Sequence, residues 1–583
     1  MIFTPEFSES ALPLAEYPRP QFRRESYLSL NGEWEYAFLS EERLPEVWDG
    51  RILVPYSPES PASGVLRVLR PEETLAYRRV FTLPEGFFRG RLLLQFGAVD
   101  QRCRVFLNGR EVGRHEGGYT PFAVDLTEAL AEGENTLCLL VRDDASSPVY
   151  GRGKQRYRHG GIWYTPQSGI WQSVWLESTP RTALTSLRLL PSAEDMTLTV
   201  TPLATAAGDV TVTALDGDTV IAEGRVPAGE SLTLDVSACT PWTTAAPHLY
   251  RLTLAMGEDR VESYFGVRSY GKTTVNGKQY FAENSAPIFY NGLLDQGYWP
   301  LGLYTPPSAR AMYEELARVK ARGFNMLRKH CKVEPALWYY YCDILGIAVF
   351  QDMMNGGERE RPWRLVLAPF LNLHLNDENY AAMGRGDPAS RAFWLREAEA
   401  VQDTLHNCVS LTLYTVFNEA WGQFDAVRNT AHLRHRDPSR LYDHASGWQD
   451  KGAGDLCSRH IYFRPARPKN DGRRILALTE FGGYSYTLPG HAFTDKTFGY
   501  RRFRSPEALA EAYARLYRHE VIPAILGEGL GCTVYTQLTD VEDEQNGLDT
   551  YDRVEKLPAS LLVRLNAEVA AAFRAATSPA PAP

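Results

Sequence analysis

The sequence predicts a multidomain protein of β and α/β class, two β-sandwiches followed by a (β/α)8 barrel, and three observations carry that prediction. The chain has 583 residues, far beyond the ~250–300 at which one hydrophobic core stops growing. From about residue 20 to residue 268 it consists of short β-branched and aromatic runs broken by Gly, Asn, Asp and Pro, the signature of all-β domains. After Ser269 apolar strands alternate with helix-length amphipathic segments, the pattern of a parallel sheet wrapped by helices.

Residues 1–180 hold the first sandwich, with strands expected at Leu75 to Phe81, Arg91 to Phe96, Arg102 to Leu107, Asn135 to Val141 and Ser173 to Glu177. Asn108-Gly109 lies between two such runs and is a strong hairpin signal, because both residues accept the positive φ of a type I′ turn. Over residues 181–268 composition shifts to Thr, Ala and Val with few aromatics. About seven short strands there fit an immunoglobulin-like sandwich that carries no candidate chemistry and reads as a spacer.

Residues 269–583 supply eight candidate barrel strands: Pro287 to Leu294, Phe324 to His330, Ile347 to Met353, Ser410 to Phe417, Leu441 to Ser446, Cys457 to Tyr462, Leu476 to Phe481 and Thr533 to Leu538. Helices are expected at Ser308 to Arg322, Pro335 to Leu345, Ser390 to His406 and Ser505 to His519. The tail from Ala575 reads as a frayed end.

Lys plus Arg number 62 against 71 Asp plus Glu, a net charge of −9 with no long block of either sign, which argues against a nucleic-acid partner. The 8 cysteines are scattered without a C-x-x-C pair, against a zinc ribbon or a disulfide framework. The N-terminus lacks a basic and apolar leader, and no stretch approaches the ~20 apolar residues of a membrane span. The chain therefore reads as cytoplasmic, with no membrane partner, and a homo-oligomer stays open.

A barrel places its chemistry at the C-terminal ends of its strands. Those ends carry Arg328, Lys329 and His330; Gln351 and Asp352; Asn418, Glu419 and Trp421; Ser446 and Trp448; His460 and Tyr462; Glu480; and Tyr535, Gln537 and Asp540. Hydrolysis of an acetal needs one carboxyl to protonate the leaving oxygen and a second to attack or stabilise the cationic carbon. Glu419 and Glu480, each ending an apolar strand, supply that pair. Trp448, Trp421 and Trp299 offer flat faces to a sugar ring or serve as wall packing; His330 and His460 hold sugar hydroxyls or act as structural donors; Asp352 fixes a hydroxyl or pairs with Arg328.

The segments Val416-Phe-Asn-Glu-Ala-Trp-Gly and Leu478-Thr-Glu-Phe-Gly-Gly resemble the acid/base and nucleophile motifs of glycoside hydrolase family 2, the group of β-galactosidases, β-glucuronidases and β-mannosidases. Leu30-Asn-Gly-Glu-Trp-Glu-Tyr, Tyr77-Arg-Arg-Val-Phe, Gly118-Tyr-Thr-Pro-Phe and Ser168-Gly-Ile-Trp-Gln-Ser-Val-Trp-Leu-Glu resemble its N-terminal jelly roll, and Phe265-Gly-Val-Arg its junction into the barrel. The resemblance implies a retaining exo-β-glycosidase with Glu419 as acid/base, Glu480 as nucleophile, Asn418 on the sugar 2-hydroxyl and Tyr462 steadying the nucleophile. His330, Asp352, Trp448, His460 and Tyr535 complete the expected substrate site, and no cofactor or metal is implied.

The family's glucuronidases carry an Asn-x-Lys clamp for the sugar carboxylate, and this chain has Glu544-Gln545-Asn546 in that place. An acid and a neutral amide cannot neutralise a carboxylate, so a neutral sugar is expected, galactose first, on a glycoside or oligosaccharide substrate. The rivals are a uronidase that replaces the clamp with Arg328, Lys329 or Arg385, and a non-catalytic carbohydrate-binding protein. Tyr535 stands where many relatives place Trp. The upstream Glu-x-His pair that holds magnesium in large β-galactosidases has no match. The loop from Met354 to Asp387 is long enough to be functional; either Trp363, Tyr380 and Trp394 wall the aglycone side, or the loop is a solvated or oligomer-contact segment.

Overall fold

The computed structural model describes residues 4–359 and 375–578. The first sandwich packs a four-stranded antiparallel sheet (Leu28–Ser29, Val174–Thr179, Arg91–Phe96, Phe122–Asp125) on a six-stranded one (Gly50–Val54, Gly32–Leu39, Thr74–Thr82, Glu134–Arg142, Arg102–Leu107, Arg110–Glu116). Alternation does the work: Leu92, Leu94 and Phe96 face Leu137, Leu139 and Val141 across a core that includes Trp34 and Tyr77, as the two-residue period of a strand requires. Asn108 and Gly109 turn the hairpin at φ +52° and +79°.

The second sandwich has three strands (Leu184–Ser192, Thr197–Ala204, Leu232–Asp235) against four (Thr219–Pro227, Asp209–Asp216, Tyr250–Met256, Asp259–Phe265). Arg24 ties it to the first, its guanidinium reaching Asp259 at 2.9 Å and Glu177 at 3.3 Å. Tyr264 ties it to the barrel by donating to Asp343 across 2.8 Å.

Eight parallel strands form the barrel in chain order: Tyr290–Asp295, Met326–Lys329, Ala348–Asp352, Leu411–Thr415, Leu441–Asp443, Leu456–Ile461, Ile475–Gly482 and Leu530–Thr536. The ring is nearly closed; the fifth and sixth strands lie side by side without a backbone ladder. Tyr290, Met326, Phe350, Leu413, Ile475 and Val534 fill the interior, while Leu293, Leu327, Val349, Leu478 and Tyr535 face the helices.

Several expectations are corrected. Residues Ala286–Ile288 are not barrel strand but the edge of an antiparallel sheet with Tyr270–Val275 and Lys278–Glu283. That sheet plugs the barrel floor with Phe281, 5.0 Å from Tyr290. The helix expected from Ser390 begins at Pro388, capped by the Asp387 carboxylate accepting from the Ala389 N–H. The last helix, Ala559–Thr577, takes in the first three residues of the tail expected to fray, while residues 579–583 lie outside the described residues. The fifth and sixth strands each pass to the next by a loop without a helix. All eight cysteines are free and buried, and no helix among the described residues is long and apolar enough to cross a membrane.

Candidate active site

Strand ends bring Glu419 and Glu480 together. A β-bulge leaves Thr479 unopposed, so that Leu478 pairs with Arg459 and Glu480 with His460; a bulge of this kind re-aims the side chain that follows it. Glu480 turns inward and is 4% exposed. Glu419 lies one residue past the bridge between Asn418 and Ser446, in the left-handed region at φ +48°, with Ala420 at +62°. That conformation costs a non-glycine residue ~1–2 kcal/mol and is held by the Glu419 N–H donating to Ser446 O at 3.0 Å and the Trp421 N–H to Asn418 O at 2.8 Å.

His460 stands between the two acids, Nδ1 2.8 Å from Glu419 Oε1 and 3.6 Å from Glu480 Oε2. A carboxylate oxygen of each acid lies within 4.8 Å of one on the other. Tyr462 donates its hydroxyl to Glu480 Oε2 and stacks on Tyr500, ring centroids 3.7 Å apart. On the opposite oxygen, Arg328 Nη1 donates to Glu480 Oε1 across 3.0 Å. Burial alone would raise the Glu480 carboxyl, but the charges of His460, Arg328, His330 and Lys154 outweigh it and hold Glu480 below the usual range.

Arg328 organises the floor. It grips Asp352 with two bonds of 2.9 Å and donates to Asn418 Oδ1 at 2.8 Å. Asp352 also meets His330 Nδ1 at 2.8 Å, and burial keeps His330 below its usual value despite that partner. Asp352 is thus tied to Arg328 and His330 together. Left over, buried and without a hydrogen-bond partner among the described residues, are Asn418 Nδ2, His330 Nε2 and Trp421 Nε1. Such unfilled donors are what a polyhydroxylated ligand would satisfy. Among the described residues two groups, Glu419-His460-Glu480 and His330-Cys331-Asp352, bring possible metal ligands together, and in both Arg328 already balances a carboxylate.

Trp448 is half-buried, 6.0 Å from the His460 ring. Tyr535 does not join the site. Its ring packs among Phe481, Tyr484 and Tyr513 on the helix side, and its oxygen accepts the Tyr484 N–H at 3.2 Å; strand alternation turns Thr536 inward instead, 3.1 Å from the Tyr462 hydroxyl. Trp299 stacks under Arg553 at 3.7 Å. Trp394 is core, stacked on Phe417 at 4.6 Å, Tyr380 binds Asp425, and Trp363 lies outside the described residues. Lys329 is spent on Asp295 and Glu334 at 2.5 and 2.7 Å, and Arg385 on Gly422 O and Ser390.

The sequence reading missed Tyr500 and Lys154. Lys154 comes from the first sandwich, and its charge is one of those felt by Glu480 and His330. No strand-end rule points to it, because its loop belongs to another domain.

Fold and site define a multidomain barrel protein whose mouth holds two facing carboxylates under a β-sandwich loop. A family model described as the sugar binding domain of glycosyl hydrolases family 2 matches residues 66–180, and this match, with the relatives below, supports the resemblance to glycoside hydrolase family 2. A beta-galactosidase of Aeromonas hydrophila is 27% identical over 419 residues, covering 67% of this chain and 38% of the relative. A putative beta-glucuronidase of Formosa agariphila is 24% identical over 379 residues, 60% of this chain and 43% of the relative. The chain thus spans under half the length of these curated relatives. Among solved structures, a beta-glucuronidase of an uncultured Clostridium sp. superposes with TM-score 0.74 at 17% identity, covering 94% of this chain and 99% of that one. A beta-galacturonidase of Eisenbergiella tayi does so with TM-score 0.69 at 18%, covering 95% and 98%.

Proposed function

We propose that the protein is a retaining exo-β-glycosidase acting on a terminal neutral sugar, galactose first. The observation that carries this reading is the approach of Glu419 and Glu480, oxygens within 4.8 Å, close to the ~5–5.5 Å of retaining enzymes and short of the ~6.5–9.5 Å that an inverting water needs.

Glu480, held ionised by Arg328 and Tyr462, attacks the anomeric carbon as the bond to the leaving oxygen breaks. Glu419 passes its proton to that oxygen, and a glycosyl ester forms on Glu480. Water then attacks the same carbon, Glu419 takes its proton, and Glu480 leaves as carboxylate. Asn418 Nδ2, free beside the two acids, is placed for the sugar 2-hydroxyl. The name of the Aeromonas relative supports galactose; Glu544 and Asn546, in place of a cationic clamp, weigh against the uronic acids named for the structural neighbours.

A panel of nitrophenyl β-galactoside, β-glucuronide, β-mannoside, β-glucoside and α-arabinoside tests the reading. Turnover with Glu480→Gln inactive on every substrate is expected. No turnover on the panel would leave only a carbohydrate-binding role, and preference for the glucuronide would overturn the neutral-sugar part.

A further inference from the structure

Lys154 is carried to the barrel mouth by a loop that cannot sit anywhere else. Its neighbour Gly153 has φ +57°, and a Cβ there would stand 2.9 Å from Cys331 O, so only glycine lets the two backbones approach. The Arg152 N–H donates to Asn355 O at 2.8 Å and the Tyr164 N–H to Lys154 O at 3.0 Å, which fixes the loop on both sides of the lysine. The side chain is 8% exposed and its ammonium lies 5.6 Å from the Tyr164 ring centroid and 5.8 Å from that of Trp421. Among the described residues Glu544 is the one carboxylate within 4 Å of the ammonium, at 3.9 Å, beyond hydrogen-bond reach.

Glu544 is equally enclosed, 1% exposed. It accepts from the Tyr164 hydroxyl and from Asn546 Nδ2 at 3.1 Å, while Asn546 Oδ1, His330 Nε2 and Trp421 Nε1 are buried and without a partner among the described residues. An ammonium whose nearest carboxylate stands beyond hydrogen-bond reach, a carboxylate with lone pairs to spare and three polar atoms without a partner among the described residues together describe a subsite for a polyhydroxylated ligand.

We propose, resting on the glycosidase reading above, that Lys154 is a sugar-specificity residue supplied by the first sandwich, and that with Glu544 it forms a donor and acceptor pair gripping adjacent hydroxyls of the glycone. Lys154 donates to one hydroxyl oxygen and Glu544 accepts the proton of the next. Because the two charges cancel, the pair suits an uncharged polyol; a uronate drawn to Lys154 would meet Glu544 within a few ångströms.

The test compares wild type, Lys154→Met and Lys154→Arg on the best nitrophenyl glycoside and on its 3-, 4- and 6-deoxy analogues. Lys154→Met should lower kcat/KM on the parent sugar roughly 10- to 150-fold, the worth of a hydrogen bond to a charged group, and lower it less than about threefold on the analogue lacking the gripped hydroxyl. Lys154→Arg should keep part of the loss back. An equal penalty on the parent and every analogue, or none on any, overturns the proposal while leaving the catalytic reading intact. If wild type hydrolyses no glycoside, that reading falls by itself, and calorimetric titration with free galactose decides on Lys154: weaker binding by Lys154→Met supports the subsite, equal binding overturns it.

Discussion

Arg328 and Glu480 are joined by an ion pair of 3.0 Å in which the guanidinium is fully buried and the carboxylate 6% exposed. The same guanidinium holds Asp352 bidentately, a planar geometry that an ammonium cannot copy. Arg328→Lys should therefore keep the fold but lower kcat roughly 30-fold or more, about 2 kcal/mol. The pH profile carries a sign. Glu480 titrates below the ordinary range, so the acid limb of kcat/KM in wild type should lie under pH ~4.3, and the variant should shift it upward. The same depressed value stabilises the fold above the ordinary pKa, a contribution lost as pH falls through the folded one. An unmoved acid limb would remove Arg328 from the tuning of Glu480.

The proposed mechanism gives Glu419 and Glu480 different tasks, and substitution should separate them. Glu419→Gln cannot donate a proton, so dinitrophenyl glycosides with good leaving groups should still glycosylate Glu480, and azide should speed the second step, giving a glycosyl azide of retained configuration. Rescue of Glu480→Gln by azide, with Glu419→Gln unresponsive, would mean that the roles are reversed.

The eight barrel strands were legible because each is an apolar run ending in polar residues, and the pair of acids followed from where those runs end. Parity was not legible at every end. A single step along the strand separates Tyr535, which faces the helices, from Thr536, which faces the pocket, and an all-buried strand gives no alternation to decide between them. The edge strand at the barrel floor reads as barrel strand because its last residue, Ile288, precedes the true strand start at Tyr290 with only Phe289 between. Lys154 could not be found from strand ends, since what places it is contact between domains: Gly153 against Cys331 and Arg152 against Asn355.

The correction at Tyr535 can be checked. With its oxygen accepting the Tyr484 N–H outside the pocket, Tyr535→Phe should leave KM unchanged within error and cost about 1 kcal/mol of stability. A change in KM with unaltered melting would return the residue to the sugar site.

The interface between the first sandwich and the barrel carries a second pH signature. Glu397 is buried with neither carboxyl oxygen hydrogen-bonded among the described residues. Burial pushes it up to about 8, reinforced by Asp100 and opposed by Arg385. The sign follows from linkage. Between the unfolded value near ~4.3 and the folded value the unfolded chain has released a proton that the folded one retains, so stability falls as pH rises through that window, at up to about 1.4 kcal/mol per unit. Glu397→Gln keeps the shape and cannot ionise. Its melting temperature should therefore match wild type at pH 4, where both states of the glutamate hold most of their protons, and exceed it by several degrees at pH 8. Calorimetric melts across pH 4–8 decide the matter: a gap that is constant with pH would show that Glu397 already carries its charge in the fold, balanced by Arg385.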